Sequence, residues 1–132
     1  MSALPLLDAA RLRELAAQHR SGGRCPGCGG LQCRGWAALP GGFDASGLRR
    51  VGTLRDPGLH EQTVEEYHPA GTRSWSPDAP IAPAFHPANK SDVWQCTACA
   101  RVYLRYTEYG GYYVEERVRE VNPALIVDPK FI

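Results

Sequence analysis

Arg24-Cys25-Pro26-Gly27-Cys28-Gly29-Gly30 and, far downstream, Trp94-Gln95-Cys96-Thr97-Ala98-Cys99-Ala100 decide the reading of this chain. Each stretch holds two cysteines separated by two residues, the spacing at which both thiolates of one tight turn face the same ion. Glycines after the first pair permit the positive φ and close backbone approach that such a turn requires. Thiolates are the soft, charged ligands that zinc favours, and four of them close a tetrahedral site. Cys25, Cys28, Cys96 and Cys99 are therefore expected to hold one structural Zn2+. Because the pairs lie far apart in sequence, they clip distant segments together, and metal binding becomes folding free energy. Iron takes the same ligands, so the spacing leaves zinc and iron open.

Two other readings of the cysteines compete. Cys25-Pro26-Gly27-Cys28 suggests thioredoxin-like redox chemistry, because Cys-x-x-Cys lowers a thiol pKa. That chemistry needs the pair at a helix N-terminus, whereas Gly29-Gly30-Leu31 follows here. Cys33 is the odd thiol among five cysteines. It fits a small buried apolar residue in a strand better than an alternative ligand.

At 132 residues, one domain spanning 1–132 is the default. The 14 glycines and 11 prolines point to a loop-rich body with short strands, which buries limited apolar surface and gains much from a metal staple. The start, Met1 to Asp8, lacks a basic n-region and a continuous apolar h-region. No apolar run approaches the roughly 18 residues of a membrane span. Paired cysteines without a signal peptide fit metal binding in a reducing cytosol, so the expected location is cytoplasmic.

Along the chain, Asp8 to Arg20 reads as a helix, with Asp8 as cap and Leu7 and Leu12 as a hydrophobic staple; Gly22-Gly23 stops it. Strands are expected over 31–39, 48–54 and 62–67, with a turn at Pro40-Gly41-Gly42. From His68 to Asp92 the chain is proline-punctuated, and Trp75, Ile81 and Phe85 are expected to anchor an ordered loop. Trp36 and Trp94 are likewise expected to serve as core or loop anchors. Arg101 to Val121 reads as a hairpin about Gly110-Gly111, a pair suited to positive φ. A two-residue loop there sets Arg105 opposite Glu116 and Arg101 opposite Glu120. A helix over 113–121 is the competing reading, since Val114, Val118 and Val121 share a helical face.

Cys25-Pro26-Gly27-Cys28-Gly29, followed at a distance by Cys96-x-x-Cys99 between strand-like segments, resembles the zinc-ribbon (rubredoxin-like) superfamily. The resemblance implies a mainly β, α+β fold: a small antiparallel sheet carrying two cysteine knuckles. Residues 24–39 and 93–121 correspond to the ribbon, 1–22 add an N-terminal helix, and 40–92 form a long proline-rich insertion between the knuckles. Ala100 stands where such knuckles often have glycine, which implies a strained or different turn.

For function, a closed four-thiolate site leaves no position for substrate. His19, His60, His68 and His86 form no catalytic constellation, and no phosphate-binding or dinucleotide motif appears. His68 with Glu65 and Glu66 reads more simply as a solvated strand end than as an acid–base group. The preferred expectation is a non-enzymatic protein-interaction module: an assembly, regulatory or immunity-type binding protein. Its partner surface is assigned to Tyr106, Tyr109, Tyr112, Tyr113 and Arg105, since tyrosine and arginine are enriched at interface hot spots. About half of the tyrosines near the turn should nonetheless belong to the core. The alternative is nucleic-acid binding through Arg34, Arg49, Arg50 and Arg55. Against it stands a net charge of only +1. An enzyme, or a subunit of one, with a structural zinc is the lesser alternative. No small-molecule substrate is inferred.

Overall fold

The structure is a computed structural model that describes residues 4–19, 25, 27–31, 33–58 and 63–130. It is mostly β. The helix α1 (Ala9–Ala16) precedes five strands: β1 (Ala37–Ala38), β2 (Leu48–Thr53), β3 (Asp92–Cys96), β4 (Val102–Tyr109) and β5 (Val114–Glu120). They form one antiparallel sheet in the order β1-β5-β4-β3-β2. No helix among the described residues is long and apolar enough to cross a membrane.

Strand alternation divides the buried residues between the two faces of the sheet. On the core face, Val93, Val102, Leu104 and Tyr106 pack with Leu12, Ile81 and Ile126. On the other face, Leu48, Cys96, Tyr103 and Val118 pack with Cys25, Cys28, Leu31 and Cys33. The sheet is thus a partition between an apolar core and a sulfur-rich one.

Asp8 caps α1 by accepting from the Arg11 N–H at 2.8 Å, and Leu7 and Leu12 are both buried beneath it. Eight residues are too few to hold a helix alone. Burial of Leu12, worth about 2 kcal/mol, ties it to the core. The helix ends at Ala16, short of the expected Arg20. Its last turn tightens through Gln18 N–H to Leu15 O and His19 N–H to Ala16 O bonds. The expected stop, Gly22-Gly23, lies outside the described residues.

Several expectations are corrected. The strand expected over 31–39 shrinks to Ala37–Ala38. Its neighbour Gly35 lies so close to Trp75 that a Cβ there would meet the Trp75 carbonyl oxygen at 2.1 Å. Trp36 N–H bonds Ser74 O, which diverts this stretch from the sheet. Residues 63–67 form no strand, and Gln62 lies outside the described residues. The carbonyls of Thr63 and Glu65 instead accept from the Asn89 side chain and the His86 N–H. Ile81 and Phe85 anchor the following segment as expected, but Trp75 is 68% exposed, so its ring is not the buried anchor expected. Pro40-Gly41-Gly42 does turn, with Gly42 at φ +79° and Phe43 N–H bonding Pro40 O.

The β4–β5 hairpin forms in a register two residues away from the expected one: Tyr109 pairs with Val114, so four residues make the loop. Gly110 and Gly111 do not take the positive φ expected of them. Gly110 N–H bonds Tyr113 O, and the Tyr113 ring packs where a Gly110 Cβ would stand. Arg105 therefore faces Val118, and Glu120 faces Tyr103. A shift of two keeps every side chain on its face. The expected ion pairs survive as diagonals, Arg105–Glu116 at 3.4 Å and Arg101–Glu120 at 3.5 Å.

Arg119 is the largest fully buried side chain among the described residues. Its guanidinium donates to the carbonyls of Arg34, at 3.0 Å, Ala79 and Pro80. Burial draws its pKa down to about 10, so it stays charged at neutral pH. Three backbone acceptors from two irregular segments depend on one side chain. Arg119→Met is expected to lower the free energy of unfolding by about 3 kcal/mol, because it strands those carbonyls away from water. An unchanged urea midpoint would show that the loops find other donors.

Candidate metal centre

Cys96 ends β3, and Cys99 lies in the turn leading to β4. Ala100 N–H bonds Cys96 O at 2.9 Å, and Cys96 N–H bonds Arg101 O at 2.8 Å. This closure forces Ala100 to φ +67°, the left-handed region that costs a residue with a Cβ about 1–2 kcal/mol. The strain suspected at this non-glycine position is real. Thr97 fastens the same turn to the start of β2 by donating its N–H and hydroxyl to Gly47 O.

The first knuckle is built likewise. Gly29 N–H bonds Cys25 O, Leu31 N–H bonds Cys28 O, and Gly27 N–H points at the Cys25 sulfur from 3.3 Å. Gly27 faces the second knuckle, where a Cβ would stand 3.4 Å from Cys96 Sγ. Leu31, buried on the sheet, seats the turn.

Across 71 residues the two knuckles meet: Cys25 Sγ lies 3.7 Å from Cys96 Sγ, and Cys28 Sγ 3.6 Å from Cys99 Sγ. All four sulfurs fall within 4.8 Å of one another. A tetrahedral site with metal–sulfur bonds of about 2.3 Å has sulfur–sulfur edges of about 3.8 Å. The donor set and its spacing therefore fit a metal ion. A second observation agrees. The Tyr103 hydroxyl is buried without a hydrogen-bond partner, and its polar neighbours include Cys28 and Arg101. Cys28 as a metal-bound thiolate would supply the acceptor that this hydroxyl lacks.

Cys33 is not part of the group. It is buried against the first knuckle, its carbonyl accepts from Glu120 N–H, and burial pushes its thiol up to about 12. It is buried as expected, but it lies outside any strand.

Sequence reasoning missed the supports of the second knuckle. Arg101 Nη2 lies 3.0 Å from His19 Nε2, and His19 Nδ1 lies 3.2 Å from Cys99 O. Arginine can only donate, so Nε2 accepts and Nδ1–H donates to the carbonyl. The end of the helical segment is thereby tied to the ligand loop. Nothing in the spacing of His19, which is 80 residues from Cys99, announces this contact.

The residues expected to bind partners are divided by the fold. Tyr106 is 7% exposed and packs edge-on against Trp36, so its ring is core and not surface. Arg105 is mostly buried, its guanidinium 4.9 Å from the Trp94 ring. Tyr109, Tyr112 and Tyr113 are exposed at the hairpin tip. Nor do the four arginines make one patch. Arg50 and Arg55 share Asp92, Arg49 points to the opposite face of β2 from Arg50, and Arg34 borders a separate cleft with Asp78 and Arg101.

His68 and Ser74 both donate to the Glu66 carboxylate, His68 Nε2 from 2.8 Å. Burial would raise that carboxyl, but these bonds outweigh it and hold it below the ordinary range. Comparison with protein-family models, with curated proteins and with solved structures finds no match to this chain.

The thiols set the pH behaviour of the centre. The Cys28 N–H and Gly27 N–H bonds bring Cys25 down to about 7, while burial raises Cys28 to about 12 and also lifts Cys99. At neutral pH Cys28 and Cys99 thus carry protons that a metal must displace. Acid favours release and base favours loading. Metal affinity, measured by chelator competition, should climb at least about 100-fold per pH unit near neutrality, two protons leaving for each ion. An affinity flat with pH would mean that these thiols are not ligands.

Proposed function

We propose that this chain is a non-enzymatic protein-interaction module whose zinc-ribbon-like framework is held by one structural Zn2+ on Cys25, Cys28, Cys96 and Cys99. Four sulfurs at tetrahedral spacing suit zinc, and such a site keeps no open position for water or substrate. The residues between the knuckles are, in this reading, an elaboration of a ribbon.

One observation carries the interaction reading. Tyr109, Tyr112, Tyr113 and Val114 are 77%, 104%, 51% and 68% exposed and follow one another around the hairpin tip. Seven residue steps along β4 put this tip roughly 23 Å from the second knuckle. A folded chain rarely leaves three rings and a valine together in water without a use for them. Rigid tyrosines give large contact area at small entropic cost, as interface anchors do. Nucleic-acid binding draws less support, since Arg34, Arg49 and the Arg50–Arg55 pair lie on different faces. The expected setting is the cytoplasm, and the expected partner is a protein.

The double variant Tyr109→Ala, Tyr112→Ala tests the reading. Both rings are exposed, so the melting temperature should move by less than about 2 °C. Capture of the partner that co-purifies with the intact protein under nuclease treatment should fall at least tenfold. Undiminished capture, or no protein partner at all, would refute the proposal.

A further inference from the structure

The face of the sheet that carries the metal knuckles is only half covered. At one end Leu48, Cys96, Tyr103 and Val118 are buried under the knuckles. Toward the hairpin tip the same face continues, by strand alternation and cross-strand pairing, through Arg50, Trp94, Arg105, Thr107 and Glu116 to Tyr109 and Val114. No described segment of chain is laid over this half of the face, and all of these residues but Val114 border an open groove of about 610 Å3.

The groove carries both signs of charge, with a small positive excess. Arg50 and Arg55 both lie on Asp92, at 3.3 and 2.9 Å, which leaves one cation in surplus. Lys90 is exposed and makes no ion pair among the described residues. Arg105 and Glu116 cancel. Glu108 also borders the groove, but it alternates onto the core face, where Tyr106 and Arg117 are its neighbours. Asp92 has only 15% of its side chain exposed, against 49% for Arg50 and 57% for Arg55, so the cations are what a partner meets.

We infer that this half-face, continuous with the exposed tyrosines, docks an acidic segment of a partner protein, its carboxylates on Arg50, Arg55 and Lys90 and an apolar side chain on Tyr109 and Val114. The inference rests on the interaction-module reading and names the chemistry of the partner. Arg50 and Arg105 approach the Trp94 ring to 5.8 and 4.9 Å, which orders their planes while leaving in-plane N–H groups to fork onto carboxylates. The same stacking argues against a nucleic acid. Trp94 already packs with two guanidinium groups, which compete with a base for its ring.

The probe is an acetylated Glu-Glu-Phe-Glu-Glu peptide titrated into the full, metal-loaded chain and followed by the Trp94 indole and Gly110 amide NMR signals, with Trp94→Phe assigning the indole. Saturable shifts at both signals are expected, along with affinity that weakens as salt is added. Affinity should drop at least tenfold in Arg50→Glu, Arg55→Glu. It should drop at least threefold in Lys90→Glu, which breaks no ion pair of the described fold. Equal binding of the glutamine counterpart, unchanged affinity in both variants, or tighter binding of a short oligothymidylate would overturn the inference. A co-purifying partner lost with Tyr109→Ala, Tyr112→Ala but indifferent to Lys90→Glu would overturn it too, while leaving the interaction module standing.

Discussion

The convergence of two thiol pairs 71 residues apart is the constraint on which the rest of this structure depends. Closing a chain of that length on itself costs the unfolded state entropy that a permanent link would otherwise recover, about 4 kcal/mol by the loop-length relation used for cross-links. That is a large share of the roughly 5–15 kcal/mol by which domains are stable. The sulfur cluster also fills space that side chains would otherwise occupy. Leu31, Leu48, Tyr103 and Val118 pack directly around it, so the metal face of the sheet has a core only because the knuckles meet there.

The opposite face solves the same shortage of regular structure in another way. Between β2 and β3 the chain contributes little ladder pairing, and its backbone groups must be satisfied individually. Arg119 does this for Ala79 and Pro80, and for Arg34 ahead of β1; the Asn89 amide does it for Thr63, and an isolated bridge joins Ile81 to Ile126. Polar side chains thus stand in for strands. The close approach of Gly35 to Trp75 shows how tightly this irregular layer is laid on the sheet.

What could be read from the residues alone was the chemistry with a fixed local geometry. The cysteine spacing, the Asp8 cap with its Leu7–Leu12 staple, the strand at 48–53 and the hairpin of β4 and β5 all depend on neighbours in sequence. The hairpin register did not come out, for a definite reason. Charge pairing of Arg105 with Glu116 and of Arg101 with Glu120 is satisfied either directly or diagonally, so it could not distinguish registers two residues apart. The choice lay instead with the Tyr113 ring against Gly110. Tyr106 looked like its exposed neighbours but falls on the core face, against Trp36. The expected strand at 62–67 failed because its carbonyls found donors in a distant loop. The supports of the metal centre, His19, Arg101 and Tyr103, were hidden because only the folded chain brings them together. Ala100 was the exception. The absence of glycine there was visible in sequence, and the left-handed backbone that it implies is present.

In the proposed reading, a framework fixed at one end by a metal ion and bearing exposed rings at the other presents a rigid edge to a partner protein. Its central claim concerns the ion. X-ray absorption at the zinc edge of the protein as purified from a cytosol-like reducing environment addresses it most directly. Four sulfur scatterers at about 2.3 Å and no nitrogen or oxygen in the first shell are the predicted result. Coordination completed by nitrogen or oxygen, or a protein that folds with no zinc bound to its cysteines, would contradict the account.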